Sequence, residues 1–200
     1  METMITTDLN EIKQKYNEAA AHIFKRIVVC AGTGCIANGA LAVHKALEKA
    51  IEDAGMQLFT EVVLDRHDCR EIQITGSGCQ GFCAQGPLVN ILPDETMYVK
   101  VKPEDAAEIV EKSILHTEVI DRLMYVNPVT GEHNKGQLDI PFYKRQNRLV
   151  LGECGHVDPE NIREYIAHSG YQAAFKAYTQ MADVEICEEI IASGLRGRGG

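Results

Sequence analysis

The sequence predicts an α/β domain of about 100 residues, followed by a linker and a mainly helical tail. Three observations carry this. Short apolar runs of strand length alternate with amphipathic helical patterns as far as about residue 115. Turn-forming residues such as Asn127, Pro128, Gly131, Asn134 and Gly136 then replace any clear period. Beyond residue 148 the helical pattern returns, opened by Asp158-Pro159-Glu160.

Residues 8–22 read as a polar, amphipathic helix with Asp8 or Asn10 as its cap. Ile27-Val28-Val29 is an apolar run that ends directly in Cys30, as a buried strand would. After Cys35, the residues Val43, Leu47, Ala50, Ile51 and Ala54 share one helical face, and Gly55 closes that helix. Residues 57–64 and 71–75 read as further strands, and Gly76-Ser77-Gly78 leads into Cys79. Leu88–Leu92 and Met97–Val101 flank Pro93-Asp94-Glu95-Thr96, which predicts a hairpin. Pro103 suits the first position of a helix with Ala106, Val110 and Ile114 as its buried stripe. In the tail, residues 148–151 form a candidate strand. Helices are expected from Asp158 to Ser169, near 171–181 and near 183–193. The division is an N-terminal helix over 1–25, the α/β domain over 26–116, a linker over 117–147 and the helical region over 148–200.

Apolar residues make up 45% of the chain, enough for a true core. The net charge of −9 argues against a nucleic-acid surface or a polybasic membrane contact. No apolar stretch approaches the roughly 20 residues a membrane span needs, and Met1-Glu2-Thr3-Met4 does not open a secretory signal. A cytoplasmic location without membrane insertion is the expectation. An odd count of seven cysteines then points to metal or redox chemistry rather than a disulfide framework.

Four of the seven fall into two tight pairs. Cys30 and Cys35 are spaced C-x4-C, and Cys79 and Cys83 are spaced C-x3-C, each on a loop at a strand end. Four thiolates suffice for one 2Fe–2S cluster. Such a cluster is anionic, so backbone N–H groups should approach it closely, and Gly32, Gly34, Gly76, Gly78, Gly81 and Gly86 would allow that. Phe82 would keep water off one side. Structural zinc also uses four cysteines, but commonly through C-x2-C pairs, and a thioredoxin-type dithiol wants C-x-x-C, which is absent. Zinc and redox-disulfide chemistry stay open as alternatives. Cys69 reads as part of a solvated loop. Cys154 with His156 offers two metal-compatible groups, against an ordinary packed cysteine. Cys187 reads as core among Ile186, Ile190 and Ile191. No side chain is a candidate general acid, base or nucleophile.

Residues 27–115, with Gly78-Cys79-Gln80-Gly81-Phe82-Cys83 and Gly86-Pro87-Leu88-Val89, resemble the thioredoxin-like 2Fe–2S ferredoxin domain. The tail resembles the opening of the NADH-binding flavoprotein subunit of complex I. The residues that carry this are Cys154-Gly155, Asp158-Pro159, Glu164-Tyr165-Ile166, Gly170-Tyr171 and Ser193–Gly200. The fusion of the two resembles the NAD(P)-binding subunit of multimeric FeFe hydrogenases, including electron-bifurcating ones, and soluble NAD-dependent formate dehydrogenases have a similar subunit.

The resemblance implies a thioredoxin-like fold and an electron-transfer module within a larger oxidoreductase. FMN, NAD(P)H and 4Fe–4S clusters would belong to the parent subunit. Partners would include a catalytic iron–sulfur subunit and a small 2Fe–2S subunit. Gly197, Arg198, Gly199 and Gly200 would begin the FMN/NADH loop of that parent, since the family continues past this motif and the chain reads as the N-terminal part of a longer subunit. A stand-alone 2Fe–2S ferredoxin or adaptor, and a zinc-stabilised interaction domain, are the competing classes. All-thiolate ligation in an acidic protein favours a low potential, about −400 mV.

Overall fold

The structure is a computed structural model and describes residues 8–59 and 71–197. Helix α1, Leu9–Ala20, begins at Asp8, whose carboxylate accepts the backbone N–H groups of Asn10 and Glu11 at 2.8 and 3.2 Å. Strand β1 (Ile23–Cys30) follows, then the short helix α2 (Thr33–Ala37) and the longer α3 (Ala40–Asp53). Strand β2 is Leu58–Phe59; the remainder of the run expected to reach 64, and Cys69, lie outside the described residues. Strand β3 is Glu71–Ser77, and the hairpin is β4 (Val89–Leu92) with β5 (Thr96–Tyr98).

Among the described residues these five strands form one sheet in the order β2-β3-β1-β4-β5. β1 runs parallel to β3 and antiparallel to β4. The register assigns each side chain a face, because it pairs Ile27 with Ile74 and Val28 with Thr75. Ile27, Val29, Ile72 and Ile74 join Val43, Leu47 and Ile51 of α3 in the main core. The opposite face carries Arg26, Val28, Gln73, Thr75, Ser77 and Asn90. Apart from the partly exposed Arg26 it is buried as well, yet largely polar.

The segment after Pro103 is less regular than its periodicity predicts. A 3-10 turn (Pro103–Asp105) leads into α4 (Ala106–Glu108), which continues as a π-helix over Ile109–Leu115. Ala106, Val110 and Ile114 are buried as expected. Ser113 sits within the widened turn and donates to the Glu118 carbonyl at 2.9 Å while pairing with the Tyr98 hydroxyl at 2.6 Å. The Tyr98 oxygen also accepts the Ile120 N–H.

The stretch that reads as a linker is tied into the domain. It forms a small hairpin of β6 (Tyr125–Val126) and β7 (His133–Asn134), then α5 (Pro141–Lys144). Ile120, Leu123, Ile140 and Tyr143 join the main core. Three expectations for the tail fail. Residues 148–151 are irregular, a bend at Leu149 leading into a turn, with Leu149 and Val150 exposed, and not a strand. Helix α6 spans Ile162–Ala167 and starts later than Asp158, because Asn161 caps it by accepting from the Arg163 and Glu164 N–H groups. Helices α7 (Gln172–Gln180) and α8 (Asp183–Ala192) form near the expected places, but Cys187 on α8 is exposed rather than core. No helix of the described residues is long and apolar enough to cross a membrane.

Helices α1 and α6 pack together through Tyr16, Ala19 and Ala167. Arg26, projecting from β1, makes a fork to both carboxylate oxygens of Glu164, which is 1% exposed. The same guanidinium reaches Thr75, and the Glu164 carboxylate also accepts the Asp158 N–H. Burial first, and then the nearby Glu164 charge, hold the Tyr16 phenol far above its ordinary range.

Candidate metal centre

Four cysteines converge at one end of the sheet. Cys30 is the last residue of β1, and its N–H is held by the Leu88 carbonyl at 3.0 Å. Cys35 lies in α2, which turns back over the strand end. Cys79 follows β3, and Cys83 opens a 3-10 turn, Cys83–Gln85. A parallel β1–β3 pair places both strand ends, and so both loops, on the same edge.

The two pairs differ in setting. Cys30 and Cys35 are buried, whereas Cys79 and Cys83 are exposed. The Cys79 and Cys83 sulfurs stand 3.9 Å apart and are not bonded. Two thiolates on one tetrahedral metal with bonds of about 2.3 Å would be about 3.8 Å apart. The Cys35 thiol is pushed up to about 12 by burial, and then by its hydrogen bond to, and the charge of, Cys30. Cys83 is raised chiefly by its partner Cys79. Raised in this way the thiols favour their protonated form, and as thiolates they would repel one another unless a cation lay between them.

Glycine makes the crowding possible. A Cβ on Gly32 would come within 2.8 Å of the Cys79 Cβ, and one on Gly86 within 2.6 Å of the Cys35 Sγ. Each absent side chain lets a facing loop reach a thiol. The Gly81 N–H donates to the Cys79 sulfur at 3.4 Å. Gly76 does not share this role, since a Cβ there would meet only ordinary contact at 3.6 Å. Phe82, between the outer cysteines, stacks on Phe142 at 4.9 Å and meets Tyr143 and Tyr125 edge-on or tilted. The wall expected of Phe82 is thus built with residues from the stretch that reads as a linker.

Among the described residues, no three Cys, His, Asp or Glu side chains surround one point where a single ion would sit. His156 is exposed, and Cys154 instead lies against Gly78, its sulfur 3.4 Å from where a Cβ would be. Gly197 is exposed near the end of the described chain, and Arg198, Gly199 and Gly200 lie outside the described residues. Sequence reasoning missed Gln80, Asn90 and Ser77, which sit buried behind the second loop. Asn90, a polar residue inside the apolar run Leu88–Leu92, was the available signal.

A mixed sheet with four thiols at one edge, and glycines where loops meet sulfur, defines an iron–sulfur electron-transfer domain. The sequence matches the thioredoxin-like [2Fe-2S] ferredoxin family over residues 14–113, and the chain belongs to that family. Its fold is accordingly thioredoxin-like, and its cofactor is a 2Fe–2S cluster. The chain is 34% identical over 109 residues to "Ferredoxin, 2Fe-2S" of Aquifex aeolicus, covering 50% of this chain and 88% of that protein. It is 34% identical over 102 residues to "Ferredoxin, 2Fe-2S" of Clostridium pasteurianum, covering 51% and 92%. A third relative is "NADP-reducing hydrogenase subunit HndC" of Solidesulfovibrio fructosivorans, 46% identical over 57 residues, which are 28% of this chain and 11% of that protein. A solved thioredoxin-like [2Fe-2S] ferredoxin from Aquifex aeolicus aligns at 32% identity, 50% and 89% coverage and a TM-score of 0.40.

Proposed function

We propose that Cys30, Cys35, Cys79 and Cys83 hold the 2Fe–2S cluster, with the buried pair on one iron and the exposed pair on the other. The observation that carries this is the arrangement of two close thiol pairs across the glycine-lined end of β1 and β3. The family match, together with pairs spaced C-x4-C and C-x3-C rather than C-x2-C, favours two irons over a structural zinc.

The cluster supplies reversible uptake of a single electron. The chain's own residues position and shield it. Gly32, Gly34 and Gly86 admit the facing loops, the Gly81 N–H supports the Cys79 sulfur, and Phe82 with Phe142 and Tyr143 covers one flank. Exposed Cys79 and Cys83 leave the opposite flank open to an electron partner.

This domain serves, in the same reading, as the electron-transfer module of an NAD(P)H- and FMN-binding subunit in a multisubunit, hydrogenase-type oxidoreductase. Gly197–Gly200 would open the flavin loop of that subunit. The similarity to the NADP-reducing hydrogenase subunit supports this. Anaerobic reconstitution tests the ligand set: dithionite should produce an S = 1/2 signal near one spin per chain, altered or lost in Cys79→Ser. A colourless protein with stoichiometric zinc would refute it. For the larger assembly, the native complex should reduce this cluster with NADH or NADPH, and failure with both would refute that part.

A further inference from the structure

Behind the outer cysteine loop lies a chain of hydrogen bonds that all run one way. Asn90 Nδ2 donates to Gln80 Oε1 at 2.8 Å, and Gln80 Nε2 donates to Ser77 Oγ at 3.1 Å. Ser77 Oγ then donates to the Gly78 carbonyl at 3.0 Å. Gln80 is fully buried, Ser77 is 1% exposed and Asn90 7%. A hydroxyl has one hydrogen to give, so with Gln80 donating into it the Ser77 proton is directed onto the carbonyl. That carbonyl oxygen lies 4.0 Å from the Cys30 sulfur.

We propose that this relay, Asn90 to Gln80 to Ser77 to the Gly78 carbonyl, tunes the electron affinity of the centre bound by the four cysteines, an inference that rests on the ligand assignment above. The negative end of the Gly78 carbonyl dipole faces a thiolate ligand and opposes the addition of an electron. Donation from Ser77 draws density away from that oxygen, and successive donors in a low-dielectric interior polarise one another. The relay therefore makes reduction easier than the bare carbonyl would. Ser77 and Gln80 are positioning residues, acting through Gly78.

Buried amide and hydroxyl groups are costly unless paired, and here each finds its partner inside the relay. The segment from Cys154 to Gly155 packs against it. The Cys154 sulfur is close to Gly78, and a Cβ on Gly155 would come within 3.0 Å of Gln80 Cγ. Ser77 is 1% exposed and Gln80 fully buried, so bulk water does not compete for the Ser77 proton.

The test is an EPR-monitored redox titration of the anaerobically reconstituted 200-residue chain, wild type against Ser77→Ala and Gln80→Leu. Both variants should keep the S = 1/2 signal at wild-type spin count, and both midpoint potentials should move negative, Ser77→Ala the further. If only one variant retains the cluster, its shift decides. Potentials unchanged or moved positive would overturn the proposal, and so would loss of the cluster in both variants, since the relay would then only build the loop. A wild-type protein without a 2Fe–2S signal, or one indifferent to Cys79→Ser, would instead remove the ligand assignment and the relay with it.

Discussion

Gly86→Ala separates cluster binding from folding. The new Cβ would stand 2.6 Å from the Cys35 sulfur, and ordinary van der Waals contact begins near 3.4 Å. The sulfur, or the loop carrying residue 86, must therefore retreat by about 0.8 Å. Metal–ligand distances tolerate only about 0.2 Å before a site is compromised. Overpacking of this kind costs about 1–3 kcal/mol of stability, which a domain with this core can absorb. The expected outcome is a folded protein by far-UV circular dichroism, with the visible absorbance and the S = 1/2 signal of the reconstituted centre reduced several-fold. Gly76→Ala is the control, because its Cβ would meet Ala31 at an ordinary 3.6 Å and should leave loading intact. Full cluster occupancy in Gly86→Ala, with an unchanged spectrum, would refute the reasoning that Cys35 is a ligand held at this separation.

Three further outcomes follow from the same contacts. Alkylation under native conditions should label exposed Cys187 in both forms, but Cys79 and Cys83 only after the iron is removed, as peptide mass spectrometry would show. Equal labelling of Cys79 before and after removal would place the iron elsewhere. Glu164→Ala should destabilise the chain by about 3–5 kcal/mol in urea unfolding, since it leaves Arg26 without its buried partner. A loss under about 1 kcal/mol would mean that α6 does not hold its place through this pair. Ser113→Ala should cost about 1–3 kcal/mol, because the buried Tyr98 hydroxyl and the Glu118 carbonyl both lose a partner.

The meeting of the four cysteines at one end of the sheet and the alternation of strands and helices were legible because their signals are local: cysteine spacing, apolar period and caps. Asp8 reads as a cap from its position alone and is one. Gly32, Gly34 and Gly86 were legible only as a class. Which glycine admits a sulfur depends on the loop facing it, and Gly76 proved to face none. Cys187 fails for a related reason. Its isoleucine-rich neighbourhood predicts an apolar face but not a surface to cover it, and α8 buries none of its residues. Arg26 and Glu164 are separated by 138 residues, so no short-range pattern joins them. Asn161 rather than Asp158 starts α6 because two backbone N–H groups reach its side chain, a choice that propensity alone leaves to the following proline.

The unequal burial of the two cysteine pairs bears on how such a domain can exchange electrons. Electron transfer weakens steeply with distance, so a carrier sealed on every side would be slow with any partner. One wholly open to water would lose the low dielectric that lets nearby dipoles tune it. Here α3 covers one face of the sheet, while α1 and α6 draw together beside the other through the Arg26–Glu164 fork. The edge carrying Cys79 and Cys83 stays open. On the proposed assignment, the buried pair then sits where the Gly78 carbonyl and its donors act most strongly, and the exposed pair forms the surface of contact. A polar face on a buried strand looks wasteful if the sheet is only a scaffold. It is explicable if Ser77, Gln80 and Asn90 adjust the centre from behind while Cys79 and Cys83 meet the partner in front.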